Sequence, residues 1–430
     1  MHGQELWRLG AVEARRLLGP EGLASGRLWD ACRERIVARD PAISAFLRVN
    51  PSRGPFPASG PATGIPVGIK DIIDTIDMAT EYGSPIYAGH RPPRDAWVVA
   101  GLRMAGGVIA GKTATTEFAG PNATITRNPH DLTASPGGSS AGSAAAVASG
   151  MIPLALGTQT AGSIIRPAAF CGVVGFKPSF GEIDTLGIRP ACTSLDTVGI
   201  FSRSVEDAAW LWALLARRPA VPDMPAASLH IGLWRPAEMD KASASVQSAL
   251  EAAANALSRA GHRVVDLALP PAFVHAESAA RIILEAETYR STASELLHAP
   301  DQISSTLLDV VMAGSRIEAG ILDQARRTIA RAEREFAQLV EETDVDVVIT
   351  PAAADEAPAD PSWTGDAVFN RIWTAISAPA ITLPQCYGER SLPIGLQLVL
   401  PRSRDQALIH AATVIDRILL ASADAPPRIC

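Results

Sequence analysis

Short apolar runs alternate with longer stretches of helical spacing along most of this chain. Residues 1–48 interleave charged and apolar positions in a way that predicts helices. IPVGIKDIID (65–74) reads as a short buried strand ending near Lys70 and Asp71. Residues 95–106 predict a helix, and GVIAGKT (107–113) a second apolar strand. Residues 120–142 are rich in Gly, Pro, Asn, Ser and Thr and predict a loop. Small apolar residues then fill 141–157, broken by Gly142, Gly150, Pro153 and Gly157. That pattern predicts a buried helix followed by a strand, and not a membrane span. Further helices are expected at 203–218, 243–261 and 404–420, with 276–342 the most helical stretch. DVDVVITP (344–351) and LPIGLQLVLP (392–401) predict two more buried strands.

Strands that are apolar throughout and separated by helices imply an α/β fold. Its sheet should be mixed, mostly parallel, and covered by helices on both faces. Residues 51–64 form a Pro/Gly-rich connector, and 352–362 a loop within the fold. There is no internal repeat. The expected organisation is a single domain over 1–430, with an N-terminal helical part (1–60) and a core (61–220). A helix-rich part (221–345) and C-terminal strands with a closing helix (346–430) follow.

Composition narrows the chemistry. A net charge of −7, with no run of five like charges, argues against unaided nucleic-acid binding, which needs clustered Lys and Arg. Cys32, Cys171, Cys192, Cys386 and Cys430 are odd in number, widely spaced and without a C-x-x-C pair. They read as reduced thiols, which points to a cytoplasmic protein. The histidines lack metal-protease spacing, so neither metal nor cofactor is expected.

Three segments are unusually rich in small residues and hydroxyls. They are GIPVGIKD with Lys70, SPGGSSAGSAAAVASG with Ser135, Ser139, Ser140 and Ser143, and GTQTAGSIIRPAAFCGVVGFKPS with Thr158, Thr160, Ser163 and Arg166. The Gly/Ser-rich loop lacks the endings of a phosphate-binding or dinucleotide-binding loop. A serine attacking an amide needs a base, and neither Ser/Gly segment contains a histidine. Lys70, set among Ile65, Val67, Ile69, Ile72 and Ile73, becomes a base if burial keeps it neutral. The bland alternative is an ion pair with Asp71 or Asp74.

Together with AGGVIAGKTATTEFA (105–119), GVVGFKPS, VITP and LPIGLQLV, these segments resemble the amidase signature family over most of the chain. Ser139 follows Lys70 by 69 residues and Ser163 follows Ser139 by 24, in keeping with that family. The resemblance implies that Lys70 is the base, Ser139 a relay serine in a cis peptide after Gly138, and Ser163 the nucleophile. It also implies an oxyanion hole from the backbone N–H groups of Thr160, Ala161, Gly162 and Ser163. The activity implied is hydrolysis of a small carboxamide through an acyl-enzyme.

The chain departs from the family form around the nucleophile. Gln159 stands where an acid is usual, Ile165 where an arginine is usual, and Ala161 where a glycine is usual. The arginine reappears at Arg166, an arrangement similar to the malonamidase-like branch. There the corresponding arginine holds a substrate carboxylate. The alternative for Arg166 is that it caps a carbonyl or pairs with Asp184 or Asp196. Gly138 is also assigned to substrate binding. For Cys171 the expectation is a small buried hydrophobe; Trp373 and Phe369 are read as either pocket wall or core, and Asn370 as either a substrate contact or a support of its loop. The expected partner is a small amide, with no nucleic acid and no membrane, and a homodimer is compatible. The competing function is the ammonia-producing component of a glutamine-dependent tRNA amidotransferase complex, which shares the relay.

Overall fold

The computed structural model of the chain describes residues 5–24, 26–51, 60–222, 228–268 and 270–421. Residues 52–59 of the expected connector and Cys430 lie outside the described residues. Among the described residues, eleven strands form one mixed sheet. They are β1 (Phe46–Val49), β2 (Pro66–Lys70), β3 (Val108–Thr113), β4 (Leu154–Gln159), β5 (Val174–Lys177), β6 (Thr197–Ser202), β7 (His230–Trp234), β8 (Arg263–Leu267), β9 (Val347–Pro351), β10 (Ala380–Tyr387) and β11 (Pro393–Val399). Their order is β1-β3-β2-β4-β6-β5-β10-β11-β9-β7-β8.

Every residue of β2 to β6, β9 and β11 is buried, so both faces of the sheet's centre are covered. That is why β2, β3, β4, β9 and β11 read as short buried strands in the sequence, whereas β5 and β6, equally buried, are not among the strands expected there. β2 pairs in parallel with β3 and β4, and β7 with β8 and β9. A parallel pair needs a crossover, and helices Trp97–Met104, Ala141–Ala148 and Ala244–Arg259 lie between such strands in the chain. The other six pairings are antiparallel against these four parallel ones, so the sheet is mixed but not mostly parallel as expected. β5 and β6 are joined by a loop without a helix, and β10 and β11 by a short turn. Strand–helix alternation alone does not reveal those pairings.

Strand β1 lies inside the segment expected to be helical. Helix Arg27–Ile43 stops because the Asp40 carboxylate takes the N–H groups of Ala45 and Phe46, while Ser44 turns into the left-handed region. No helix among the described residues is long and apolar enough to cross a membrane.

Candidate active site

β2 and β4 run parallel side by side, so their C-terminal ends open at the same edge of the sheet. Ligand sites of α/β sheets commonly form at that edge. Lys70 is the last residue of β2, and Thr158 and Gln159 end β4. Between the two strands in sequence lies helix Ala141–Ala148, entered through the Ser-rich loop. Ser140 Oγ donates to Thr158 O and accepts from Thr158 N–H. Ser143 Oγ donates to Leu156 O and shares a hydrogen bond with Thr113 Oγ1. Ser135 Oγ accepts from Gly137 N–H. Three of the four serines therefore fasten the loop and helix, and Ser139 is left facing the lysine.

Lys70 Nζ is fully buried and donates to Ser139 Oγ at 2.7 Å and to Thr158 Oγ1 at 2.9 Å. Neither acid of the alternative reading pairs with it. Asp71 lies 3.6 Å from Lys112, and Asp74 accepts from the Tyr82 hydroxyl. Burial pushes the Lys70 ammonium down to about 7, opposed mainly by the charge of Asp196. The Gly138–Ser139 peptide is cis.

Ser163 lines a cleft of about 740 Å³, beside Thr160, Ala161 and Arg166, with Leu284, Leu307 and Trp363 on other walls. No hydrogen bond joins Ser163 to Ser139 in this structure, and catalytic contacts commonly tighten only with substrate present. The loop that carries Ser163 is held from behind by Gln159. Its Oε1 accepts from the N–H groups of Ile164 and Ile165, and its Nε2 donates to Thr374 Oγ1, which in turn donates to Ala161 O. A neutral amide thus ties down the loop without an ion pair, which accounts for Gln159 and Ile165 being neutral together. Ala161 is not among the residues with positive φ, so its Cβ sits in the loop without strain. Gly162 is needed for space, since a Cβ there would meet Asn370 Oδ1 at 2.6 Å.

Arg166 is buried and lines the cleft, but its guanidinium is occupied. It donates to Gly365 O and Gly138 O, each at 2.7 Å, and to Thr364 Oγ1 at 3.5 Å. Its Nε is buried with no hydrogen-bond partner. It caps carbonyls, and pairs with neither Asp184 nor Asp196. Burial lowers its pKa to about 10. Gly138 presents its carbonyl to Arg166, and a Cβ there would press on the Thr364 methyl at 2.8 Å.

Cys171 is fully buried, and burial raises its thiol pKa far above the usual range. Trp373 packs among Trp234, Phe273 and Phe336, so it belongs to the core. Phe369 sits in a smaller buried cluster, and Asn370 Nδ2 donates to Ala352 O. In sequence, Thr158 reads only as a strand-end hydroxyl and Asp196 has no place in the site. Thr158 was marked only by its position at a strand end, and Asp196 by being a lone acid ahead of the apolar run TVGIF.

A family model described as Amidase matches residues 52–409. A glutamyl-tRNA(Gln) amidotransferase subunit from Anaeromyxobacter dehalogenans is 32% identical, across 99% of this chain and 99% of that protein. The protein of the same name from Chloroflexus aurantiacus is 38% identical over a match spanning 62% of this chain and 61% of that protein's length. The solved structure of a peptide amidase from Stenotrophomonas maltophilia superposes with a TM-score of 0.81. It is 27% identical, covering 97% of this chain and 98% of that one.

Proposed function

The chain belongs to the amidase signature family of amide hydrolases, and on that premise we propose that it cleaves a carboxamide through an acyl-enzyme on Ser163. The observation that carries this reading is the buried contact of Lys70 Nζ with Ser139 Oγ at 2.7 Å. Ser163 Oγ attacks the amide carbonyl, its proton passes to Ser139, and the Ser139 proton passes to neutral Lys70. Negative charge on the carbonyl oxygen is met by backbone N–H groups at Thr160, Ala161, Gly162 and Ser163. The C–N bond breaks as the relay returns the proton to the leaving nitrogen, releasing ammonia or an amine. Water, deprotonated by the same relay, then cleaves the ester and releases the carboxylate.

Two substrate readings rest on different observations. A relative matched across 99% of the chain carries the name of a tRNA amidotransferase component, which supports an ammonia-supplying role, with glutamine as substrate and protein partners. The Gln159, Ile165 and Arg166 pattern supports a small amide bearing a carboxylate. The first is the better supported, because the Arg166 fork is already bonded to two carbonyls.

The test is ammonia release from glutamine and from a dicarboxylic acid monoamide, on wild type, Ser163→Ala and Arg166→Ala. Glutamine turnover that Ser163→Ala lowers at least ~1,000-fold supports the first reading. Preference for the monoamide over its neutral diamide, erased in Arg166→Ala at a cost of ~2–4 kcal/mol, supports the second. Undiminished turnover by folded Ser163→Ala contradicts both.

A further inference from the structure

Asp196 immediately precedes β6 and is largely enclosed, yet it pairs with no arginine or lysine by direct contact among the described residues. Its carboxylate reaches toward the nucleophile loop instead. Oδ1 accepts from the Thr160 hydroxyl at 2.6 Å, and Oδ2 accepts from the N–H groups of Ala191 and Cys192 at 2.8 and 3.0 Å. We propose that Asp196 is a positioning residue for the amidase reaction. It fixes Thr160, three residues before Ser163, and its charge balances the proton that Lys70 takes up during acyl transfer. This rests on the Lys70–Ser139–Ser163 relay proposed above.

The mechanical part follows from where the three acceptor contacts lead. Ala191 and Cys192 belong to a turn that is itself anchored. Glu287 of helix Phe273–Ser291 accepts from Ser194 N–H at 3.0 Å and from Ser194 Oγ at 2.8 Å. Arg326 in turn pairs with Glu287 at 3.1 Å. Thr160 is thus tied through Asp196 to an element outside the nucleophile loop. Gln159 and Thr374 hold the other side of the same loop, at Ile164, Ile165 and Ala161. Oxyanion donors stabilise a transition state only if they are already in place when charge develops. A loop clamped at both sides meets that condition.

The electrostatic part follows from the surroundings of Lys70. Its contacts are two hydroxyls, Ser139 and Thr158, and the Thr158 carbonyl, all uncharged. Accepting a proton there creates a buried cation, which is costly without a compensating charge. Asp196 is the carboxylate whose field favours the protonated lysine. The titratable groups acting on Asp196 are Lys70 and, across the turn, the Cys192 thiol. Hydrogen bonds from Thr160, Ala191 and Cys192 oppose the effect of burial, which moves the Asp196 carboxyl up to about 6 and leaves it ionised at neutral pH.

The two parts separate experimentally. Asp196→Asn removes the charge, whereas Thr160→Val removes only the clamping hydroxyl and Thr160→Ser keeps it. With the amide that wild type hydrolyses best, kcat is expected to fall ~10-fold or more in Asp196→Asn and Thr160→Val, with KM within ~2-fold, because loop geometry matters to the transition state. Thr160→Ser should retain most of the wild-type kcat. The acid limb of kcat/KM should move to lower pH by roughly half a unit or more in Asp196→Asn, since Lys70 then loses its proton more readily. It should stay in place in Thr160→Val. The inference is overturned if Asp196→Asn keeps both the wild-type kcat and the wild-type limb. It is equally overturned if kcat falls with a raised KM and an unmoved limb, which is what general loosening of the site would give. Ser163→Ala measured alongside separates the premises, because if that variant keeps wild-type turnover, the relay itself is wrong.

Discussion

A lysine that is fully buried and faces hydroxyls in place of a carboxylate gives up its proton near neutrality, as the proposed relay requires. Lys70 fits that description, with its pKa lowered to about 7 by burial. The sign of the pH dependence follows. Below that value Lys70 is protonated and cannot accept the Ser139 proton, so kcat/KM should climb through an acid limb near pH 7 and level off above it. Lys70→Met should fold, since it replaces a buried stem with an apolar one of similar length, and should lose ~1,000-fold or more in kcat. A Lys70→Met enzyme with the wild-type limb at a comparable rate would remove Lys70 from the relay. At this scale the sequence pointed to Lys70, Ser139 and Ser163 through unusual runs of small residues and hydroxyls, and the fold brings Lys70 and Ser139 into contact. The roles of Asp196 and Thr158 were not legible, because they depend on contacts across 36 and 88 residues of sequence. Nothing local marks such pairs.

At the scale of elements, the helix Ala141–Ala148 decides where Ser139 sits, because it begins two residues later and lies directly on the end of β3. Gly142 is what lets it approach. Its N–H donates to Ala114 O at 3.0 Å, and a Cβ would collide with backbone atoms of Ala114 and Ala45. Gly142→Ala therefore sets two effects against each other. Helix propensity favours alanine by about 0.5–1 kcal/mol. Overpacking against backbone that cannot yield costs about 1–3 kcal/mol and wins. The expected result is a lower melting temperature, with activity reduced further as Ser139 is lifted from Lys70. A Gly142→Ala protein melting at or above wild type would show that the helix has slack. Most helices could be read from spacing, as could the buried strands β2, β3, β4, β9 and β11, but β5, β6, β7, β8 and β10 were not. β1 could not, since it hides behind a helix stop made by the Asp40 side chain, and neither could the antiparallel pairings that need no crossover helix.

Across the whole molecule, the sheet brings three distant segments to one edge. β2 supplies Lys70, the loop before helix Ala141–Ala148 supplies Ser139, and the loop after β4 supplies Ser163. The α/β architecture was predictable from alternating strands and helices, and the family from the order of these segments. Substrate identity was not, because the far walls of the cleft come from residues 281–310 and 362–371, whose polar side chains, such as Arg281, Glu285 and Arg371, carry no motif that places them at a site. For Arg166 the sequence left a substrate contact and a carbonyl cap both open, and in the fold it is bonded to carbonyls. The central claim is that Ser163 carries the acyl group, and an acid-quenched turnover followed by peptide mass spectrometry tests it most directly. The amide turned over fastest should leave the mass of its acyl group on the peptide containing Ser163, and Ser163→Ala should show neither adduct nor turnover. An acyl group found on Cys171 or Lys70, or turnover that persists in Ser163→Ala, would contradict that claim.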